Sequence, residues 1–198
     1  PDCRRLLRMG PGSPPPALPI ARDKHLTKRL FTGSRLPTAR FLAVDQAPVR
    51  HLGIPWPVIV KPCREDGSVG IVQASVVMTQ RDLDEQVDRV RRHYGIPVLI
   101  EEFIPGREFG VRVIEAPELR VLPVSEVRFL EPDTGTWPIL TYEGKWQPMS
   151  REFVATPVHF PGDIPPSLVQ RLGKLACQAF RLLGCRDYAS VDFRVRPT

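Results

Sequence analysis

The stretch Val58-Ile59-Val60-Lys61-Pro62-Cys63-Arg64-Glu65-Asp66-Gly67-Ser68-Val69-Gly70-Ile71 limits most severely what this chain can become. Three apolar β-formers in a row read as a buried strand. That strand delivers a lysine, and Pro62, which has no N–H, then stops ladder pairing. A polar loop ending in Gly67-Ser68-Val69-Gly70 follows, and residues 71–77 read as the return strand. Glycines let backbone N–H groups approach phosphate oxygens, a serine hydroxyl adds a donor, and the lysine supplies a point charge, so the unit suits a polyphosphate. It is not a Walker loop, because Gly-x-x-x-x-Gly-Lys-Ser/Thr is absent and no helix clearly follows. A plain buried hairpin is the other reading of the same residues.

The 198 residues suffice for one large domain or two small ones with a proper core. Hydrophobic and charged fractions of 42% and 25% are those of an ordinary globular protein. The net charge of +6 is spread among acidic residues. It suits anionic small molecules at least as well as nucleic acid, and no aromatic–basic recognition motif accompanies it. Cys3, Cys63, Cys177 and Cys185 form no CxxC pair and have no clustered His, which argues against a zinc site. They read as free thiols in a reducing compartment, so a cytoplasmic location is expected. There is no 18-residue apolar run and no signal-peptide core, so no membrane association is expected. The chain starts on Pro and stops just after an apparent strand, which reads as a piece of a longer protein at both ends.

In order along the chain, Pro- and Gly-rich residues 1–19 read as a linker or tail. Asp23 is placed to cap a short helix carrying Leu26 and Leu30, with Gly33 at its stop. A strand is expected near 41–44. Thr79-Gln80-Arg81-Asp82 opens a helix with Leu83, Val87, Val90 and Tyr94 at helical spacing, ending at Gly95. Val98-Leu99-Ile100 reads as another buried strand. Strands at 109–115 and 119–127 follow, then turn residues over 130–160. The longest helix starts near Ser167 and ends at Gly184, and a last strand at 188–195 carries Asp192. The mixture is α+β, in two lobes meeting near residue 97.

Lys24, Lys61, Glu101, Glu108, Lys145 and Asp192 all stand at strand ends or loop junctions. Singly, such residues are mostly solvated. Their order is more telling. Asp23-Lys24-His25-Leu26-Thr27-Lys28, Val60-Lys61-Pro62 with Gly67-Ser68-Val69-Gly70, Val98-Leu99-Ile100-Glu101-Glu102-Phe103-Ile104-Pro105-Gly106-Arg107-Glu108, Tyr142-Glu143-Gly144-Lys145-Trp146 and the strand with Asp192 come in a succession that resembles the ATP-grasp ligases. Within them it is most similar to the D-alanine–D-alanine ligase group, from about residue 21 to the end.

The resemblance implies an ATP-grasp fold: two α+β lobes with mainly antiparallel sheets sandwiching ATP. Residues 20–96 would be the small lobe and 97–198 an incomplete C-terminal lobe, after a 1–19 tail of a missing N-terminal domain. Lys24, Lys61 and Lys145 match phosphate-contacting lysines. Glu101 and neighbouring backbone match the reader of the adenine edge, with Phe103 and Ile104 walling the base. Glu108 matches the carboxylate on the ribose hydroxyls, Ser68 the loop that closes over the phosphates, and Asp192 the first ligand of magnesium or manganese. Lys145 and Ser68 would thus stand at the chemistry.

The activity implied is ATP-dependent ligation of a carboxylate to an amine through an acyl phosphate, with amino acids and ATP as partners; a homodimer is compatible with it. The present stretch alone is expected to be inactive. An ATP-grasp ligase for another acid–amine pair, or a non-catalytic nucleotide-binding module, are the alternatives. Four departures bear on this. Later metal ligands are not in the chain, Ser190 stands where the family has an arginine, Gly67 replaces a loop serine, and Trp146 replaces a tyrosine after the third lysine. The last two, which in the family meet across the closed site, predict a first substrate other than D-alanine.

Overall fold

A computed structural model describes residues 12–130 and 135–197. Cys3 and most of the expected N-terminal linker lie outside these residues. Within the rest of that linker, Ala17–Arg22 is a short helix, α1, rather than irregular chain. Asp23 then caps helix α2, Lys24–Gly33, by accepting a hydrogen bond from the Leu26 N–H at 3.0 Å. Asp23 has extended backbone and a short acceptor side chain, which is what an N-terminal cap requires.

The first sheet holds β1 (Phe41–Val44), β2 (Val58–Pro62), β3 (Val76–Val77) and β4 (Val98–Glu102), in spatial order β1-β4-β2-β3, all antiparallel. Helix α3, Gln80–Tyr94, packs on one face. Its Leu83, Val87 and Val90 recur at helical spacing and are fully buried against Val58, Val60, Val98 and Ile100. Burying each such side chain stabilises by about 1.5–3 kcal/mol. Thr79 caps α3 through the Asp82 N–H, as the capping-box pattern predicts.

The expected return strand over 71–77 is shortened to Val76–Val77. The Ser75 hydroxyl accepts from the Val72 N–H at 3.0 Å and closes a single 3-10 turn at Gln73–Ser75. Serine competes with ladder pairing in this way.

The second sheet holds β5 (Arg107–Glu115), β6 (Leu119–Val121), β7 (Ser125–Val127), β8 (Val158–His159) and β9 (Tyr188–Val195). β5 pairs antiparallel with β6 and β7 along one edge and with β9 along the other, over eight residue pairs from Arg107↔Val195 to Ile114↔Tyr188. The single strand expected over 119–127 is two strands, because Pro123 between them cannot donate to a ladder. Helix α6, Pro166–Leu182, lays Leu172, Ala176 and Phe180 on Phe109, Val111 and Val113. Two short helices, α4 (Tyr142–Trp146) and α5 (Arg151–Ala155), begin at the caps Thr141 and Ser150. α4 replaces the turn expected there.

The lobe boundary is displaced from the expected residue 97. Val98–Glu102 is an interior strand of the first sheet, so the chain changes sheet over Phe103-Ile104-Pro105-Gly106. A third apolar cluster of Ile71, Val76, Phe103 and Ile139, with Ile59 and Trp137 against it, fills the junction. Among the described residues no helix is long and apolar enough to cross a membrane.

Candidate functional site

Strand alternation sorts the charged residues onto one side of each sheet. In β2, Val58 and Val60 face α3, so Ile59 and Lys61 face the opposite side. Ile59 is directly opposite Glu101, which places Glu101 on that side too. In β5, Phe109, Val111 and Val113 face α6, so Glu108, Gly110 and Arg112 face away from it. Their partners on β9 are Arg194, Asp192 and Ser190. The two polar sides meet along the junction and form the cleft.

Glu101 is the centre of its first-sheet half. It is buried, accepts the Lys28 ammonium at 3.0 Å, and is ion-paired with Lys61. Burial alone would push this carboxyl up, but Lys61 and Lys28 together outweigh it and hold it at about 2. Lys28 also donates to Thr38 Oγ1 at 2.7 Å and stands over the Phe41 ring. Lys24, one helical turn before Lys28, donates to the carbonyls of Pro62, at 3.3 Å, and Glu65. Burial, and then the nearby Lys61, depress its ammonium.

On the other side, Glu108 lies 3.4 Å from Arg194 Nε. Burial raises its carboxyl; the charges of Arg194, Lys61 and Lys145 pull the other way. Lys61 and Lys145 come from different parts of the chain, so both halves of the cleft act on Glu108. Asp192 is solvent-accessible at the cleft surface. The protein around its carboxyl is still dense enough to raise it, against Lys145 and Arg112. Among the described residues no three carboxylates, imidazoles or thiols gather to hold a metal. Magnesium takes one or two carboxylates together with waters and phosphate oxygens, so Asp192 stands as a single candidate oxygen ligand.

The loop after β2 turns at Gly67 and Ser68, both with φ near +60°, with the Val69 N–H returning to Asp66 O at 3.0 Å. Positive φ at both central residues is a type I′ pattern, and glycine takes the first of them without strain. Among the described residues the Ser68 hydroxyl makes no hydrogen bond. The loop is tied to α4 twice: the Tyr142 N–H donates to Ile71 O at 3.1 Å and the Trp146 indole N–H to Gly67 O at 2.6 Å. A Cβ on Gly67 would lie 3.3 Å from the indole. The two positions that depart from the resembled family are therefore in contact, and glycine leaves the space that the larger ring occupies.

That contact yields a prediction. Trp146→Phe keeps a ring but deletes the donor, a loss of about 1 kcal/mol for one hydrogen bond. Amide hydrogen exchange over residues 66–70 should quicken by about fivefold. Unchanged exchange would show that the indole merely rests on the loop.

Among the remaining expected residues, Phe103 is buried in the junction, edge-on to Trp137 at 5.2 Å, and Ile104 is half-buried. The N–H groups of Glu102 and Phe103 already donate to Arg40 O and Pro57 O, so neither is open to a base edge. Three residues were not anticipated. Lys28 could have been found from its i+4 spacing to Lys24. Arg194 could have been found two residues beyond Asp192, on the same strand face. It bonds Gly106 O at 2.9 Å and stacks over Phe103 and Phe129. Arg112 has no sequence signal of its own.

Two antiparallel sheets with flanking helices, meeting over a lysine- and carboxylate-lined cleft beneath a glycine-bearing loop, define the ATP-grasp class. The solved D-alanine–D-alanine ligase of Bacillus anthracis, in complex with ATP, superposes with a TM-score of 0.71 at 21% identity, over 93% of this chain and 54% of that one. The D-Ala:D-Ser ligase of Enterococcus faecalis gives 0.72 at 20% identity, over 94% and 52%. Residues 38–198 match the D-ala D-ala ligase C-terminus family, and the chain belongs to it. It is 32% identical to the D-alanine–D-alanine ligase of Methylibium petroleiphilum over 93% of this chain and 56% of that enzyme. The corresponding ligase of Bordetella avium is also 32% identical, over 92% and 54%. The chain spans about half the length of the relatives it matches.

Proposed function

We propose that the chain supplies the nucleotide-binding cleft of an ATP-dependent carboxylate–amine ligase of D-alanine–D-alanine ligase type. The observation that carries this is the buried Glu101 carboxylate paired with Lys28 and Lys61, next to a Gly67–Ser68 loop that Trp146 ties to the helix bearing Lys145. In this reading Lys24, Lys61 and Lys145 bind the phosphates and Ser68 donates from the loop. Glu101 and Ile104 face the base, with Phe103 behind them. Glu108 accepts the ribose hydroxyls, for which its two oxygens are suited.

A substrate carboxylate oxygen attacks the γ-phosphorus, ADP leaves, and an acyl phosphate forms. The amine of the second substrate then adds to the acyl carbon, and phosphate departs as the amide bond is made. Negative charge accumulates on the transferring oxygens, and preorganised ammonium groups stabilise it without reorganising. Asp192 would supply one carboxylate to a magnesium or manganese ion, which would add Lewis-acid stabilisation of that charge. The Gly67–Trp146 contact favours a variant of the same reading, a ligase whose first substrate is not D-alanine, because the side-chain hydroxyls at both positions are gone.

The test is calorimetry with a non-hydrolysable ATP analogue. Lys61→Ala and Glu108→Ala should each weaken binding by about ten- to a hundredfold, the loss of a charge-assisted contact. Folded variants with unaltered affinity would return both residues to a structural role.

A further inference from the structure

We propose that Arg112 is an anion-binding residue of the cleft, whose guanidinium receives the oxygens of the acyl phosphate beside Asp192. The inference rests on the ligase reading above and adds to it a residue and the group that residue holds.

The register fixes where Arg112 lies. On the side of the second sheet away from α6, β5 presents Glu108, Gly110 and Arg112 in turn, opposite Arg194, Asp192 and Ser190. Arg112 is thus one step along the strand from the Gly110↔Asp192 pair and two from Glu108. It is solvent-exposed, yet its guanidinium is anchored. Nη1 donates to Ser125 Oγ at 2.9 Å, and that hydroxyl donates in turn to Gly110 O at 3.2 Å. Ser125 is buried. A buried hydroxyl that holds one corner of the fork sets the plane in which the rest is presented.

Gly110 keeps the space in front of that fork open. A Cβ there would lie 3.0 Å from Ser125 Oγ, 3.6 Å from Asp192 Oδ1 and 3.9 Å from Arg112 Nη1. Hydroxyl, carboxylate and guanidinium therefore surround one point above a residue with no side chain. The charge of Arg112 also acts on the Asp192 carboxyl, as does that of Lys145.

The guanidinium is uncommitted. Arg107, Arg186, Arg194 and Arg196 all engage carboxylates. Among the described residues Arg112 makes no ion pair, and its one hydrogen bond leaves four of five N–H donors free. Planar oxygens of a carboxyl or phosphoryl group match the open side of the fork. A phosphorylated carboxylate carries both kinds of oxygen, and the cleft's own lysines deliver it to this end.

The test uses two probes on the 198-residue chain, ADP alone and acetyl phosphate in the presence of saturating ADP, both by calorimetry. Arg112→Ala should weaken acetyl phosphate binding by about tenfold or more and leave ADP affinity within about twofold. Arg112→Lys should recover part of the loss. Arg112→Ala combined with Ser190→Arg, which returns a guanidinium to the same face from the paired position on β9, should recover most of it. Thermal melting checks that each variant is folded; should the alanine variant unfold, the lysine variant carries the comparison, and a loss of about threefold or more is expected. Acetyl phosphate affinity equal to that of the wild type, or no acetyl phosphate binding by a wild-type chain that binds ADP, overturns the role of Arg112 and leaves the ligase reading standing. A wild-type chain that binds neither probe overturns both.

Discussion

Replacing Glu101 by alanine should cost the fold about 3–5 kcal/mol, the typical penalty for removing one member of a buried ion cluster. The reason lies in what remains. Lys28 is buried and its ammonium is 3.0 Å from Glu101; Lys61 is paired with the other carboxylate oxygen. Without the acid, two ammonium groups stay in a poorly hydrated junction, with Thr38 and the Phe41 ring as neutral partners for Lys28. Lys28→Met in the alanine background should restore part of the loss, since it removes a stranded charge and keeps the packing. Urea denaturation of the single and double variants measures both effects. A single variant within 1 kcal/mol of the wild type would show that the cluster is open to water.

The same cluster sets an acid limit. The Glu101 carboxyl is held at about 2, against an ordinary 4.5. A depressed carboxyl adds stability that is complete above the unfolded value and is lost as pH falls through the folded one. For Glu101 the window runs from about pH 4.5 down to about 2, and the shift is worth roughly 3 kcal/mol. Glu101→Gln should therefore lose less stability between pH 5 and 2.5 than the wild type does. Parallel acid curves for the two proteins would rule this out.

Much of the local structure around the candidate site was legible because its signals are local. Asp23 as a cap, Lys61 at a strand end, the glycine-bearing loop at Gly67-Ser68-Val69-Gly70 and the periodic face of α3 each need only a few neighbouring residues to be recognised. The failures needed the pairing of distant ones. Ser190 read as the loss of an arginine. Its partner across the ladder is Arg112, 78 positions earlier, and nothing within either strand announces that they face each other. Gly67 and Trp146 read as one changed pair, but only the fold shows that the contact between them is indole N–H to loop carbonyl. The lobe boundary was misplaced for a similar reason. Val98-Leu99-Ile100 is buried wherever it pairs, and only its register with β1 and β2 assigns it to the first sheet.

Gly106→Ala is expected to be the most damaging change outside the charged cluster, at about 3–5 kcal/mol. Gly106 lies in the four-residue segment that carries the chain from one sheet to the other, with φ of +125°. A side chain there is strained by roughly 1–3 kcal/mol before anything is touched. It would also have no room, since a Cβ would lie 2.0 Å from the backbone oxygen of Val195 and 3.0 Å from its carbonyl carbon. Backbone in a paired strand cannot rotate aside as a side-chain tip can, so β9 must shift, at a further 1–3 kcal/mol or so. That shift would open the Arg107↔Val195 pair at the end of β5. It would also pull Arg194 from Gly106 O and from Glu108, so nucleotide affinity should fall with stability. Gly33→Ala is the control, at the end of α2 with nothing within 4 Å of the added carbon, and it should be neutral or slightly stabilising. Urea unfolding and calorimetry with the ATP analogue on both variants separate the two positions. If Gly106→Ala matched Gly33→Ala in both, the close approach of β9 to the crossover would not be a constraint on the cleft.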